Sequence, residues 1–193
     1  MGAVNVERLR EALGREASEE ILQCHAQAAH EYYLKALEMC PPDAAINLGP
    51  LHSQLGILFD LIDQTEKARI HNEQAVQIFV QAGDYFSSGK TRYNMAIMYQ
   101  TAANRNPTHR RDLLHRARAY AQAALYDFKF FKSLATDWEA QAQQLIATID
   151  QALAPSKYHS FAKKLSRSIG KVFAKLKPQA DRIRFRFHLC RNI

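Results

Sequence analysis

The sequence predicts an all-α fold, an α-solenoid of antiparallel helix pairs, followed by a basic C-terminal tail. Helix-breaking residues are scarce among the 193 residues, with seven glycines and six prolines, while alanine, leucine and long polar side chains are abundant. A pattern of small and large apolar residues returns about every 40 positions. No strand-type alternation occurs before residue 182. Together these observations predict stacked helices.

The repeated pattern combines three small positions with two larger apolar ones. One copy consists of Leu55-Gly56, Phe59, Ala68 and Ala75. The next copy consists of Met95-Ala96, Tyr99, Ala117 and Ala124, with extra residues inserted before Ala117. Upstream, the second half of the unit is matched by Ala29, Tyr33, Ala36 and Leu37. A unit of this period cannot bury its apolar face alone, so it stacks on its neighbours.

The first two helices are predicted from capping residues. Asn5 can cap a short helix over 6–13, which ends near Gly14. Ser18 precedes two glutamates, a combination that favours a helix start because negative charges interact favourably with the positive N-terminal end of the helix dipole. Apolar positions then recur at helical spacing until Pro41 and Pro42 end the helix.

The next pair of helices is bounded by a capping aspartate and a Gly-Asp turn. Asp43 can cap a helix in which Pro50 marks either the start or a kink. The chain turns around Gln64, and the following helix ends at Gly83-Asp84.

The remaining helices of the body are predicted over 87–103, over 112–131 and from Thr136-Asp137 to about Pro155. The first two are joined by a longer connection that contains Pro107. The body is therefore predicted as helix pairs joined by short turns.

These residues resemble the tetratricopeptide repeat family, in particular its longer variant of about 40 residues with Gly-Asp in the turn between repeats. The resemblance covers roughly 18–153, as about three repeats and a final helix. It departs where 105–111 lengthen one copy, and at Asn72 and Ala121, where the family carries a bulky apolar residue. Close helix crossings are expected at the small residues Gly56, Ala68, Ala96 and Ala117.

In that family the first helix of each pair lines a concave groove that holds a peptide or a partner helix. Carried over by position, the resemblance implies a groove lined by Ser53, Ile57, Asp60, Lys90, Tyr93, Asn94, Ile97 and Gln100. It therefore implies a protein or peptide partner and a scaffold without enzymatic activity.

Within this set, Lys90 and Asn94 lie one helical turn apart, as a pair that holds a carboxylate requires. Only this one helix offers such a pair, because Ser53, Gln54 and Ile57 supply no matching partners. A solvated surface lysine is therefore the preferred interpretation of Lys90.

A phosphate-binding loop between Gly83 and Thr91 is rejected on spacing. The nucleotide motif has four residues between its glycines, whereas five separate Gly83 from Gly89. Asp84 stands where a glycine belongs and would direct negative charge toward the phosphates. The turn between repeats explains this segment without a ligand.

No motif for a metal or catalytic centre is found. Cys24, His25, His30 and Cys40 do not converge on one helix face, and no Cys-x-x-Cys is present, so buried cysteines are expected instead. The eight histidines fall on different helices, without a Ser/His/Asp or His-Glu-x-x-His pattern. We therefore expect neither an enzyme nor a cofactor.

Cations are dense from Arg105 to Arg118, on a predicted connection and helix start. Such a cluster could meet phosphates or an acidic partner, but a solvated helix face is the preferred interpretation. Cations at a helix N-terminus oppose the dipole and lower stability slightly.

Charge divides the chain into a body over 1–154 and a tail over 155–193. Of 26 basic and 19 acidic residues, eleven and one respectively fall in the tail, which leaves 15 basic and 18 acidic residues in the body. Such asymmetry is typical of a segment with its own partner.

The tail predicts a basic amphipathic helix over 158–177, ended by Pro178. Its apolar stripe is flanked by Lys163, Lys164, Arg167, Lys171 and Lys175. The stripe can close the end of the solenoid, which we favour, lie on an anionic membrane, or accompany phosphate contacts to nucleic acid. After Pro178 a two-residue period over 183–189 suits a strand, and its state stays open.

The sequence thus predicts a scaffold that binds a peptide or a partner helix in its groove. The alternative is an adaptor at a membrane surface or on nucleic acid, acting through the basic tail. No apolar run is long enough to span a membrane and no signal peptide is recognised, so we expect a cytoplasmic protein, or one held peripherally at a membrane.

Overall fold

The structure is a computed structural model that describes residues 1–41 and 44–154. Within these ranges the protein is all-helical, with seven α-helices and no β-strand. In chain order the helices are α1 (Gly2–Gly14), α2 (Glu19–Met39), α3 (Ala45–Leu61), α4 (Thr65–Gln81), α5 (Tyr85–Arg105), α6 (Arg110–Phe128) and α7 (Thr136–Leu153). A 3-10 segment, Lys129–Leu134, connects α6 to α7.

Helix α1 begins at Gly2, earlier than the sequence predicts. The reason is that its buried stripe continues to that residue, through Gly2, Val6, Leu9 and Ala12. A Cβ placed on Gly2 would lie 2.4 Å from the ring of Tyr32, so only glycine fits against α2 at this point. Helix α1 is thereby packed on α2 along its whole length.

Helix α3 contains Pro50 in its second turn and begins ahead of it, at Ala45. The alternative that the helix starts at Pro50 is therefore wrong. Asp43, the predicted cap, lies outside the described residues, and the cap position is held by Ala44 without a side-chain hydrogen bond. Helix α7 begins at Thr136, where the sequence predicts its start.

The turn between α4 and α5 follows the predicted Gly-Asp pattern. Gly83 has a φ of 73°, in the left-handed region that glycine adopts without strain. Asp84 then caps α5, since its Oδ1 accepts a hydrogen bond of 2.9 Å from the backbone N–H of Ser87. Both residues are accounted for by the turn.

Each helix packs against the next in the chain, and Met1–Leu153 form one compact unit. The four small residues of the repeated pattern, Gly56, Ala68, Ala96 and Ala117, are buried, as the sequence predicts. Large apolar side chains of α3, α5 and α6, such as Leu55, Met98 and Leu114, fill the core between them. No helix in the described ranges combines the length and the apolar character needed to cross a membrane.

Candidate functional site

The predicted groove residues on α3 are partly accessible. Ser53, Ile57 and Asp60 are each half-buried, and Ile57 also packs against the main apolar core. The Ser53 hydroxyl lies 3.4 Å from that of Thr91, which places this face of α3 directly beside α5. The two helices that carry the predicted residues are therefore neighbours in space.

The predicted residues on α5 also keep contact with solvent. Lys90 and Ile97 are exposed, the latter at 38%, which is high for an isoleucine side chain. Tyr93, Asn94 and Gln100 are half-buried. The predicted set thus forms a partly apolar and partly polar surface along α3 and α5.

Lys90 is held by aromatic rings rather than by a carboxylate. Its Nζ lies 5.7 Å from the ring centroid of Phe86 and 5.8 Å from that of Trp138, which are cation–π distances. The ring of Tyr93 meets the same Trp138 edge to face at 5.7 Å between centroids. One end of the candidate groove is therefore aromatic and positively charged.

Trp138 also belongs to this surface, and it lies outside the set of groove residues that the resemblance implies. It lies in the first turn of α7, the helix that follows the second repeated copy. Its place in the sequence could have indicated this role, because a final helix in the same series should add side chains to the face formed by α3 and α5.

Asp60 lies at a cavity of about 410 Å³ that is lined by residues of α3, α4, α5 and α6. Partial burial raises the pKa of its carboxyl group, and the charge of Arg105 opposes that rise. Arg105 itself forms an ion pair with Asp63 at the rim of the same cavity. Asp60 has no hydrogen-bond or ion-pair partner among the described residues.

A buried polar network between α5 and α6 was not anticipated from the sequence. The Ser88 hydroxyl donates a 2.8 Å hydrogen bond to Asp127, and Arg92 Nη1 donates to both carboxylate oxygens at 2.6 Å. Asp127 is only 2% exposed, so these donors replace the water that its charge would otherwise require. The network joins α5 to α6.

A second polar cluster joins α3 to α4. The Nδ1 atoms of His52 and His71 are 3.0 Å apart, a distance at which the Nδ1–H of one neutral ring donates a hydrogen bond to the Nδ1 of the other. His71 stacks on Phe59, whose ring also meets His30 of α2. Burial lowers the pKa of both His52 and His71, and the charges of His52 and His30 lower that of His71 further.

The candidate metal ligands of α2 are not brought together, and no group of three or more His, Cys, Asp or Glu side chains in the described ranges could hold a metal ion. Cys40 is half-buried, but Cys24 is exposed. The expectation of buried cysteines is therefore wrong for Cys24, because it lies on the solvent side of α2 beside Glu20 and Glu31.

The rejected phosphate loop is accounted for by helix packing. Gly89, Lys90 and Thr91 lie inside α5 and form no loop. A Cβ on Gly89 would be 2.7 Å from the ring of Phe128, so this glycine allows α6 to approach α5. No glycine-rich backbone is therefore free to surround a phosphate there.

Several cations of the Arg-rich stretch have partners on neighbouring helices. Arg118 forms a 2.5 Å ion pair with Asp150 of α7, and Arg110 donates to the carbonyl of Ala152 at 3.4 Å. The guanidinium of Arg116 lies over the ring of Tyr99 at 6.0 Å. Part of this stretch therefore joins helices, and the interpretation as a purely solvated face is too simple for these three residues.

The predicted tail residues Lys163, Lys164, Arg167, Lys171 and Lys175 lie outside the described residues. Comparison with known proteins found no matching family model, no matching curated protein and no matching solved structure.

Proposed function

We propose that this protein is a non-enzymatic interaction scaffold of tetratricopeptide type. In this proposal α1/α2, α3/α4 and α5/α6 are antiparallel pairs that stack into a solenoid, and α7 closes the series. The partner is a peptide or a helix that lies in a groove formed by the odd-numbered helices.

The order of helix contacts supports stacking. Each odd-numbered helix packs on the following even-numbered one, and α3 also touches both α1 and α5. Hydrogen bonds link helices two apart, since Ser53 meets Thr91 across α3 and α5, and Tyr120 donates to Glu73 across α6 and α4 at 2.9 Å. Contacts between alternate helices are what a two-layered stack of pairs requires.

The observation that carries the proposed function is a surface along α3 and α5. It is formed by Ser53, Ile57 and Asp60 on α3 and by Lys90, Tyr93, Asn94, Ile97 and Gln100 on α5. These residues keep solvent access while the opposite sides of the same helices are buried. The surface presents apolar, aromatic and charged groups together, which is the mixture that a peptide with alternating side-chain chemistry can use.

The test compares two exposed isoleucines in the full chain. Ile97 on α5 is 38% exposed and belongs to the proposed groove, whereas Ile70 on α4 is 42% exposed and lies outside it. Peptides selected from a random display library against the wild-type protein should bind Ile97→Glu at least about tenfold more weakly, because a desolvated charge replaces an apolar contact.

Ile70→Glu should leave the affinity within about twofold of wild type. Circular dichroism establishes that both variants keep their helical content. Equal loss in the two variants, loss in Ile70→Glu alone, or a selection that yields no binder would contradict the proposed groove.

The charge asymmetry of the sequence supports a second proposal, that the basic tail associates with anionic lipid surfaces. Full-length protein should sediment with phosphatidylserine-containing vesicles at low salt. Replacement of Lys163, Lys164, Arg167, Lys171 and Lys175 by glutamine should abolish this. Equal sedimentation of both forms would contradict the proposal.

A further inference from the structure

We propose that the cavity at Asp60 binds a lysine or arginine side chain of the partner peptide. This inference rests on the proposed function, because it adds the chemical class of ligand to one end of the same groove. Asp60 is both a groove residue and a lining residue of the cavity, so a peptide that follows α3 reaches it directly.

The charge of the cavity favours a cation. Its ionisable lining groups are Asp60, Asp63 and Arg105, of which Asp63 and Arg105 neutralise each other in an ion pair. The carboxylate of Asp60 remains, half-buried and without a partner among the described residues. A partly desolvated carboxylate is stabilised strongly by an incoming ammonium or guanidinium group, because little water screens the attraction.

The rest of the lining suits the aliphatic part of such a side chain. Met98, Ala102 and Leu113 supply apolar surface against which methylene groups can pack. The hydroxyls of Thr65 and Thr101 can accept the remaining hydrogen bonds of a cationic head. The cavity volume of about 410 Å³ falls within the range of roughly 300–1,000 Å³ that ligand sites occupy.

The two ends of the candidate groove therefore differ in what they attract. Lys90, held between Phe86 and Trp138, presents a positive charge at one end. At the other end, Asp60 presents a negative charge near the C-terminus of α3. A peptide with an acidic or polar residue near Lys90 and a basic residue near Asp60 would match both charges.

The test uses a random peptide display library selected against full-length wild-type protein, Asp60→Asn and a control, Glu38→Gln. Glu38 is an exposed carboxylate on α2, away from the cavity. We expect one position of the selected peptides to be enriched in Lys or Arg with wild type and Glu38→Gln, and that enrichment to disappear with Asp60→Asn.

A defined peptide then isolates the charge. In a resynthesised binder, replacement of the enriched lysine by norleucine removes the ammonium and keeps the methylene chain. Affinity for wild type should fall about tenfold, while affinity for Asp60→Asn should change less than about twofold. Arg105→Gln should strengthen the lysine preference, because it releases the charge of Asp63.

Selected peptides whose binding is weakened by Ile97→Glu, but which have no position enriched in Lys or Arg, would overturn this inference. That result would still support the proposed groove. A basic preference that persists in Asp60→Asn would overturn it as well. A library that yields no binder to wild type would overturn both the groove and the assignment of its ligand.

Discussion

The pairs α3/α4 and α5/α6 carry different residues at matching positions of the repeated pattern. In the first pair, Gly56 faces the buried Asn72, and a Cβ on Gly56 would lie 2.3 Å from the Asn72 side-chain oxygen. In the second, the corresponding residues are Ala96 and Ala121, 40 and 49 positions later, and both are buried. The first pair thus combines glycine with a larger polar side chain, whereas the matching positions of the second pair both carry a buried alanine.

The polar groups of the two pairs differ as well. Arg92 stands 40 positions after His52, and it joins an ion pair with buried Asp127, whereas His52 forms a neutral contact with His71. The same helix-pair arrangement therefore carries a charged network in one copy and a titratable neutral contact in the other. The comparison teaches that apolar spacing specifies the pair, and that polar groups give each pair its own response to substitution and pH.

The largest effect should come from removing the charge that is unique to α5/α6. Asp127→Ala leaves the Ser88 hydroxyl and the Arg92 guanidinium without their buried acceptor. We expect the free energy of unfolding to fall by about 3 kcal/mol, as for other broken buried pairs. Chemical denaturation measures this.

Ser88→Ala is the matched control for that network. It removes one hydrogen bond and keeps the ion pair, so it should cost only about 1 kcal/mol. An Asp127→Ala protein as stable as wild type would show that the network does not distinguish α5/α6 from α3/α4.

The next effect concerns the contact that is unique to α3/α4. Gly56→Ala forces its new methyl group against Asn72, and we expect a loss of about 2 kcal/mol from overpacking. Asn72→Ala in the same chain should restore most of that loss, since it recreates the alanine pair of α5/α6. A double-mutant cycle by urea denaturation measures the coupling energy between the two positions. If the losses of the two single variants simply add in the double variant, the expected compensation is disproved.

A smaller effect is expected at the junction between the two pairs. Asp84→Ala removes the side-chain cap of α5, at a cost of about 1 kcal/mol. Asp137→Ala, at an exposed aspartate in the first turn of α7, should cost less because it changes only the interaction with the helix dipole. Thermal denaturation of the two variants compares them, and an equal loss would show that the Asp84 hydrogen bond contributes nothing beyond the dipole.

The smallest effect is a pH dependence confined to α3/α4. Because the pKa values of His52 and His71 are lowered in the folded protein, the unfolded chain binds protons more readily below about pH 6.5. The stability contributed by this contact is therefore complete above that pH and is lost as the pH falls. His30 of α2 and the ammonium group of Lys67 also lie against Phe59, the ring on which His71 stacks.

Unfolding free energies from pH 7.5 to 5 check this prediction. Stability of His71→Gln should vary less with pH than that of wild type, whereas His115→Gln, at an exposed position on α6, should behave like wild type. Identical curves for wild type and His71→Gln would contradict it.

Much of the helical fold follows from spacing and capping signals. Ser18, the Gly83-Asp84 turn and the prolines after α2 mark boundaries, because each acts through local backbone geometry. Glycines 49 and 89 were a further signal, 40 positions apart, and they approach the rings of Phe79 and Phe128 respectively. The start of α1 was missed because it depends on contact with α2.

The candidate site was less predictable because it depends on side chains from separate helices. Positions on α3 and α5 could be inferred by repeat register, but Trp138 meets Lys90 only through the placement of α7. The negative charge of the Asp60 cavity likewise depends on the pairing of Arg105 with Asp63 instead of with Asp60, which the sequence does not reveal. Asp127 looks in sequence like any surface aspartate, and its burial follows from donors on α5.

The sizes of the side chains at these matching positions have a consequence for folding. Glycine stands opposite Asn72 in α3/α4, whereas both matching positions in α5/α6, Ala96 and Ala121, are alanines. If the face of α4 that carries Asn72 packed on α5 in place of α3, Asn72 would meet the methyl group of Ala96, and the two helices would be held apart. Pairing of α3 with α6 would leave a void opposite Gly56, which carries its own cost. Each helix can thus discriminate its proper neighbour from a near copy of it, which protects a repetitive chain from joining its segments in the wrong order.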